Sequence, residues 1–307
     1  MTKVFIDGSA GTTGLRIHQR LAGRADLELI TLSEENRKDP AARKDALNRA
    51  DVAFLCLPDA AAVEAVSMME NPDTVVIDTS TAHRTADGWA YGFAELSGQR
   101  EKIRTSKRIA NPGCHASGFV ALAEPLIREG LLLPDAPLSA YSLTGYSGGG
   151  KNMIAQYEAD RENPLLCAPR AYALGQEHKH LKEIVHVCGL SRAPLFSPIV
   201  CNFYSGMETC IMLSRDALTC KIGDLSDLYR SIYGEGLVRF AEKADEEGFL
   251  SAAAFSGRDD MQITVTGNEE RIMLVSRFDN LGKGASGAAI QNMNIVLGCD
   301  EKTGLIA

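Results

Sequence analysis

The sequence predicts an α/β fold in two parts: a parallel sheet with helices on both faces, then an α+β domain. Three observations carry this. Through the first third of the chain, short apolar runs alternate with helical patterns at βαβ spacing. The runs are continuously apolar, as strands buried on both faces are. Beyond residue 114 longer segments take over, with apolar residues recurring at a period near two, the mark of antiparallel strands. The length, 307 residues, exceeds what one hydrophobic core usually supports.

Taken in order, KVFID (3–7) reads as a buried strand. GSAGTTG follows as a glycine turn, and LRIHQRLAG as a helix with Leu15, Ile17 and Leu21 apolar. LELITL (27–32) is a second strand, and ALNRA leads into a third, DVAFLCLP (51–58), which ends at Pro58. AAAVEAVSMME (60–70) is helical, TVVIDTS (74–80) a fourth strand and RIAN (108–111) a short fifth. HASGFVALAEPLIREG is a helix in spite of Pro125, and LSAYSLTGYSGGGK (138–151) a strand running into a glycine-rich loop. GQEHKHLKEI (175–184) opens a helix with the apolar stripe Leu181, Ile184, Val185 and Cys188. SPIVCNFYSGMETCIMLS (197–214) and QITVTGNEERIMLVSRFD (262–279) read as long antiparallel strands, with a helix, DLSDLYRSIYGEGL (224–237), between them. The tail GKGASGAAIQNMNIVLG (282–298) is helical again.

Composition narrows the function. A hydrophobic share of 45% and a charged share of 23% are ordinary for a soluble globular protein. A net charge of -8 argues against a general nucleic-acid or anionic-membrane binder. It leaves a small anionic substrate open, since one local arginine outweighs the global field. No stretch approaches ~18 uninterrupted apolar residues, so no membrane span is expected. The opening MTKVFIDGSAG is unlike a secretory signal. The eight cysteines are scattered without a Cys-x-x-Cys pair, so a reducing cytoplasm is expected and most thiols read as small buried hydrophobes.

Two segments carry chemistry. Gly8, Gly11 and Gly14 form G-x-x-G-x-x-G between a strand and a helix, with Thr12 and Thr13 before the last glycine. Glycines there permit a tight turn and close approach to a pyrophosphate at the helix N-terminus, as in a Rossmann-like dinucleotide site, although the usual spacing is G-x-G-x-x-G. The second strand runs into TLSEENRK. Ser33 and Arg37 there suit a 2′-phosphate and hence NADP, while Glu34 and Glu35 argue for NAD.

The second segment is IANPGCHASG (109–118), where Cys114 follows a strand and opens a helix. A helix N-terminus lowers a thiol pKa, and its first-turn N–H groups can hold an oxyanion. The base must come from six histidines. His115 adjoins the cysteine, but neighbouring side chains on a helix point apart. His180 lies off the apolar stripe with Glu183 at i+3 to orient it, and His178 lies nearer the stripe. A zinc set of His178, His180, His186 and Cys188 lacks a recognised spacing. A thiolate beside a nicotinamide implies a thioester that exchanges hydride with the cofactor, in aldehyde oxidation or its reverse, acyl-phosphate reduction.

GSAGTTG, DTSTAHR with WAYGFAEL, NPGCHASG, YSGGGK, QEHKHLKE and GASGAAIQNMN run nearly end to end. Together they resemble the N-acetyl-gamma-glutamyl-phosphate reductase family in its short-form branch. The resemblance implies NADPH-dependent reduction of an acyl phosphate of arginine biosynthesis to semialdehyde and phosphate. It also implies kinship with aspartate-semialdehyde dehydrogenases, whose acyl-phosphate chemistry is the alternative reading, and a homodimer or homotetramer. It places the nucleophile at Cys114 and the base at His180, with Lys182 where the family often has proline. Ser80, Arg84, Gly148, Lys151 and His178 become candidate substrate ligands, and Asn292 a candidate partner of the nicotinamide amide. The tail helix is expected to return to the first domain, giving a NADP-binding domain of 1–113 plus 282–307 and a substrate and dimerisation domain of 114–281. A redox-sensing Rossmann binding protein and a cysteine-histidine hydrolase are the remaining alternatives. The first leaves the second domain unexplained and the second has no use for the glycine turn.

Overall fold

The structure of the chain, a computed structural model, describes residues 1–307. It divides into two compact units. The first holds residues 1–94, 98–113 and 285–305, and the second 95–97, 114–284 and 306–307. The expected division differs at 95–97, 282–284 and 306–307. The first two of these segments are tied together in the second unit by the buried ion pair of Lys283 with Glu95, 2.7 Å.

The first unit runs β1 (Thr2–Asp7), α1 (Thr12–Leu21), β2 (Leu27–Ile30), α2 (Pro40–Arg49), β3 (Val52–Leu55), α3 (Asp59–Ser67), β4 (Val75–Asp78), β5 (Ala90–Tyr91), α4 (Gln99–Thr105) and β6 (Arg108–Ala110). Its six strands are all parallel, in the order β2-β1-β3-β4-β6-β5. Val4 and Ile6 face one side, where Ile17 and Leu21 of α1 pack, together with Ile290 and Met293 from the tail. Phe5, Ala53 and Leu55 face the other, against Leu47 of α2 and Ala62 of α3. Burial on both faces explains the unbroken apolar strands. α2, which runs through the ALNRA segment to Arg49, is a helix the pattern of apolar runs does not predict. Its start is signalled by Asp39, whose carboxylate accepts the Ala42 N–H at 3.1 Å, and by Pro40 in the first turn.

The second unit runs α5 (Cys114–Arg128), β7 (Ser139–Gly145), α6 (Gly150–Ala159), α7 (Pro164–Cys167), β8 (Arg170–Ala171), α8 (His180–Cys188), β9 (Leu195–Cys201), β10 (Met207–Ser214), α9 (Ile222–Ile232), β11 (Val238–Phe240), β12 (Met261–Gly267) and β13 (Arg271–Phe278). These strands form a mixed seven-stranded sheet, β11-β12-β13-β10-β7-β9-β8. The last helix, α10 (Gly287–Leu297), belongs to the first unit.

Both long strands expected here are broken. Segment 197–214 is two strands flanking β7, β9 parallel to it and β10 antiparallel. A crossover of this kind leaves a period of two intact on either side. Segment 262–279 is a hairpin, with Asn268 Oδ1 accepting the N–H groups of Glu270 and Arg271 at 3.0 Å. The glycine-rich loop after β7 is a short 3₁₀ turn, Tyr146–Gly149, that starts α6. The helix expected at 224–237 begins at Ile222 and ends at Ile232, and that at 60–70 ends at Ser67. The tail opens as a π turn, Gly282–Ser286, before α10. Pro125 sits inside α5, where its missing N–H leaves the Ala121 carbonyl without a helical donor. The buried Tyr233 hydroxyl donates to that carbonyl at 2.8 Å, which is how the helix continues. No helix is long and apolar enough to cross a membrane.

Candidate active site

In the first unit the glycine turn is sterically dictated. Gly8 has φ +86°, and a Cβ there would stand 2.3 Å from the Cys56 carbonyl oxygen; a Cβ on Gly14 would stand 2.5 Å from the Gly8 oxygen. The Gly11 N–H donates to the Gly8 carbonyl at 2.9 Å, closing the turn, and Thr12 and Thr13 open α1. A cavity of about 550 Å³ lies beside it, lined from the carboxyl ends of β1, β2 and β3, and the strand order reverses between β1 and β3. That is where doubly wound sheets bind ligands. Gly8, Glu34, Arg37 and Lys38 line it, as do Asp7 and Arg43. Ser33 does not; its exposed Oγ accepts the Asn36 N–H at 3.3 Å. Arg37 pairs with Glu34 at 2.5 Å on the open side. Arg43 is committed to Asp7 at 2.9 Å and Glu64 at 3.2 Å, so its charge is balanced inside the fold.

Asp78 closes β4 and organises the DTSTAHR turn. It accepts the Ser80 hydroxyl at 2.7 Å and pairs with His83 Nδ1 at 2.6 Å. Buried Arg84 donates to the Asn111 and Thr79 carbonyls, both at 3.0 Å. Two of its guanidinium nitrogens therefore hold the ends of β4 and β6. Asn292 is likewise wholly buried, its amide nitrogen donating to the Gly92 carbonyl at 3.0 Å and facing Asn111 Oδ1 at 3.2 Å. Its Oδ1 is buried with no partner in the protein, so the amide oxygen is the atom left for a ligand.

In the second unit Cys114 is half-buried as the first residue of α5, whose leading N–H groups surround it with partial positive charge. Gly284 lies against it: a Cβ there would sit 3.0 Å from Cys114 Cβ. Of the other thiols, Cys188, Cys201 and Cys210 are buried and Cys167 is exposed. Burial pushes Cys56 and Cys210 up to about 12, and Cys188 and Cys201 upward as well. No disulfide joins any of the eight.

His180 starts α8 and is buried with Glu183 on the face toward α5, so it does not lie off the buried side as the stripe suggested. His178 is half-buried just ahead of the helix, and its Nδ1 accepts the His180 N–H at 3.1 Å. Burial, reinforced by Lys179, pushes His178 down to about 4, so it is neutral at physiological pH. His186 is exposed, and His178, His180, His186 and Cys188 do not come together as a metal-ligating group of three or more. Gly148 and Lys151 are exposed at the turn before and within α6.

Sequence reasoning passed over His115. Its side chain is buried beside His178 and His180, because α5 turns that face toward α8. It also missed Tyr172 and Ser142, which bond to His115 from distant strands and leave no local pattern.

Comparison with known proteins agrees with both units. Residues 3–106 match the NAD binding domain of semialdehyde dehydrogenases and residues 114–280 their dimerisation domain. Proteins named N-acetyl-gamma-glutamyl-phosphate reductase are 46% identical in Brucella anthropi, over 96% of this chain and 98% of that one, and 45% in Mesorhizobium japonicum, over 96% and 99%. One from a Nostoc species, named N-acetyl-gamma-glutamyl-phosphate reductase 2, is 43% identical over 99% of both chains. The chain belongs to the N-acetyl-gamma-glutamyl-phosphate reductase family. Among solved structures, aspartate semialdehyde dehydrogenase II of Vibrio cholerae, complexed with ASA, superposes with TM-score 0.74 at 14% identity over 97% of this chain and 98% of that one. The Candida albicans aspartate semialdehyde dehydrogenase with NADP gives 0.68 at 14%, over 97% and 99%. At that identity they share the fold with the reductase family member described here. Family membership makes the chain an oxidoreductase that uses a nicotinamide cofactor.

Proposed function

We propose that this chain reduces N-acetyl-gamma-glutamyl phosphate to N-acetylglutamate semialdehyde and phosphate with NADPH, in arginine biosynthesis, through a thioester on Cys114. The observation that carries the mechanism is Cys114 at the N-terminus of α5, in one unit with a buried histidine, His180, at the start of α8.

The cavity beside the glycine turn fits a dinucleotide, since Gly8 and Gly14 leave only backbone where a pyrophosphate must approach. Gly8, Gly11, Thr12, Thr13 and Gly14 would hold the phosphates. Arg37, with Lys38, supports a 2′-phosphate, and Glu34 on the same wall is the counterweight. Bound there, the reduced nicotinamide supplies a hydride.

His180 takes the proton from the Cys114 thiol. The thiolate attacks the acyl carbonyl carbon and the carbon–oxygen bond to phosphate breaks, leaving a thioester; the imidazolium returns its proton to the departing phosphate. The first-turn N–H groups of α5 stabilise the oxyanion of each tetrahedral stage. The second of these forms when the thioester carbon gains the hydride; on its collapse the carbon–sulfur bond breaks, Cys114 leaves as thiolate, the aldehyde is released, and a proton from solvent restores the thiol. Lys151, exposed and cationic, remains a candidate for the substrate phosphate with Gly148 and His178, while Ser80 and Arg84 shape the DTSTAHR turn. The match of 114–280 to a dimerisation domain supports a homodimer or homotetramer.

Phosphate-dependent NADP reduction with N-acetylglutamate semialdehyde tests the reading in reverse. Turnover with aspartate semialdehyde and none with the acetylated substrate would move the chain to the sister activity.

A further inference from the structure

Behind Cys114 lies a chain of buried polar groups that the chemistry above does not use. His115 is 2% exposed. Its ring is engaged at both nitrogens: Nε2 lies 2.6 Å from the Tyr172 hydroxyl, and Nδ1 lies 2.7 Å from Ser142 Oγ. Ser142 Oγ lies in turn 2.8 Å from Thr209 Oγ1. Tyr172 follows β8 and Ser142 is in β7, so two separate strand segments reach one imidazole, and Thr209 of β10 holds Ser142 from behind. The ring centroids of His178 and His180 stand 5.3 and 5.7 Å from that of His115, and 4.7 Å from each other. Phe196 of β9 packs 5.5 Å from both His115 and His178.

A neutral imidazole has one N–H donor and one bare acceptor nitrogen. The two hydroxyls therefore play opposite parts toward His115, one donating to it and the other accepting from it, so both ring nitrogens are satisfied in the neutral state. A second proton would put a charge in a dry site beside two more imidazoles. Burial, then His178 and Lys179, push His115 down to about 3. The ionisable groups around it are Cys114 on α5, Tyr172, His178 and Lys179 on the approach to α8, and His180 with Glu183 on α8 itself. Tyr172 stays protonated, since burial and the Cys114 charge both push it upward. Of the three imidazoles, His115 and His178 are thus set up to remain neutral.

We propose that His115, anchored by Tyr172 and Ser142, is a positioning residue that fixes the two neighbouring imidazoles so that the proton leaving the Cys114 thiol is taken by His180. The step moves one proton from Sγ to an imidazole nitrogen and leaves a thiolate–imidazolium pair. The proposal rests on the reading of Cys114 as nucleophile and His180 as base.

The test uses Tyr172→Phe, Ser142→Ala and His115→Phe. The first two remove a single hydroxyl, and the third keeps ring bulk and loses both hydrogen bonds. Two quantities are read: steady-state kcat, and the pH dependence of Cys114 alkylation by iodoacetamide, followed by mass spectrometry of its peptide. A merely structural role moves thermal stability but not the alkylation midpoint. Tyr172→Phe and His115→Phe are expected to lower kcat about tenfold or more, the scale of a misplaced catalytic group, with the KM for NADPH unchanged. All three variants should move the alkylation midpoint upward, by about one pH unit for each tenfold weakening of the ion pair. Ser142→Ala acts from the far end of the chain, so its shift cannot come from direct contact with the thiol. If His115→Phe does not fold, the two hydroxyl variants decide. Folded Tyr172→Phe and Ser142→Ala proteins with wild-type kcat and alkylation profile overturn the proposal. If Cys114→Ser keeps turnover, or His180→Asn leaves the profile unmoved, the underlying assignment of nucleophile and base fails instead.

Discussion

Replacing each histidine of His178-Lys179-His180 in turn separates a base from its support, and the structure sets the magnitudes. His180 is buried at the start of α8, where its ring is confined by α5 and by His115 and His178. His180→Asn removes the proton acceptor outright, so kcat falls by roughly 10²- to 10⁴-fold, the usual loss of a general acid–base. His178 does something else: its Nδ1 accepts the His180 N–H at 3.1 Å, tying down the first residue of the helix. Asparagine at 178 offers an oxygen at similar reach, and Asn-type side chains commonly accept the N–H two residues on. His178→Asn therefore retains the tie and costs less than about tenfold in kcat, or ~1.4 kcal/mol. His178→Ala loses the tie and about 1 kcal/mol of stability, as a lost cap does. Burial already holds His178 neutral down to about 4, so neither variant removes a charge at pH 7. The assay is phosphate-dependent NADP reduction for kcat, with thermal melting to compare His178→Asn and His178→Ala. A larger kcat loss for His178→Asn than for His180→Asn refutes the assignment, and equal melting of the two His178 variants refutes the cap.

The remaining expectations follow from single sites. Cys114→Ser abolishes turnover while leaving cofactor affinity nearly intact, because a serine hydroxyl does not ionise near neutral pH; residual activity above about a tenth of wild type excludes the thioester. Arg37→Ala with Ser33→Ala raises the KM for NADPH far more than for NADH, with Arg37, the one that lines the cavity, carrying the effect. Equal losses with both cofactors mean that neither residue reads the 2′-phosphate. Gly8→Ala destabilises the first unit by more than the ~1–2 kcal/mol of a left-handed alanine, since the added Cβ also meets the Cys56 oxygen at 2.3 Å. A melting temperature within a degree of wild type would show that the turn relaxes freely.

Local chemistry was enough for the parallel sheet, the glycine turn and the placing of Cys114 at a helix start. Strands buried on both faces announce themselves as unbroken apolar runs, and Gly8 and Cys114 stand at junctions of strand and helix that the sequence marks directly. The sequence by itself thus determined the fold class, the family motifs and Cys114. What it left undecided depends on groups brought together from far apart in the chain. Two nitrogens of the Arg84 guanidinium are held by the Thr79 and Asn111 carbonyls. For Asn292 the fold decides which end of the amide is engaged: Nδ2 donates to Gly92, 200 positions away, while Oδ1 has no protein partner. The break between β9 and β10 was invisible because both strands keep the same alternation on opposite sides of β7. His115 was set aside because the residue after Cys114 points elsewhere on α5. Only the tertiary structure decided what lies there: Tyr172 and Ser142, 57 and 27 positions along the chain, converge on that ring. A buried donor or acceptor must find a partner wherever the fold supplies one, and the identity of that partner is a property of the packed molecule.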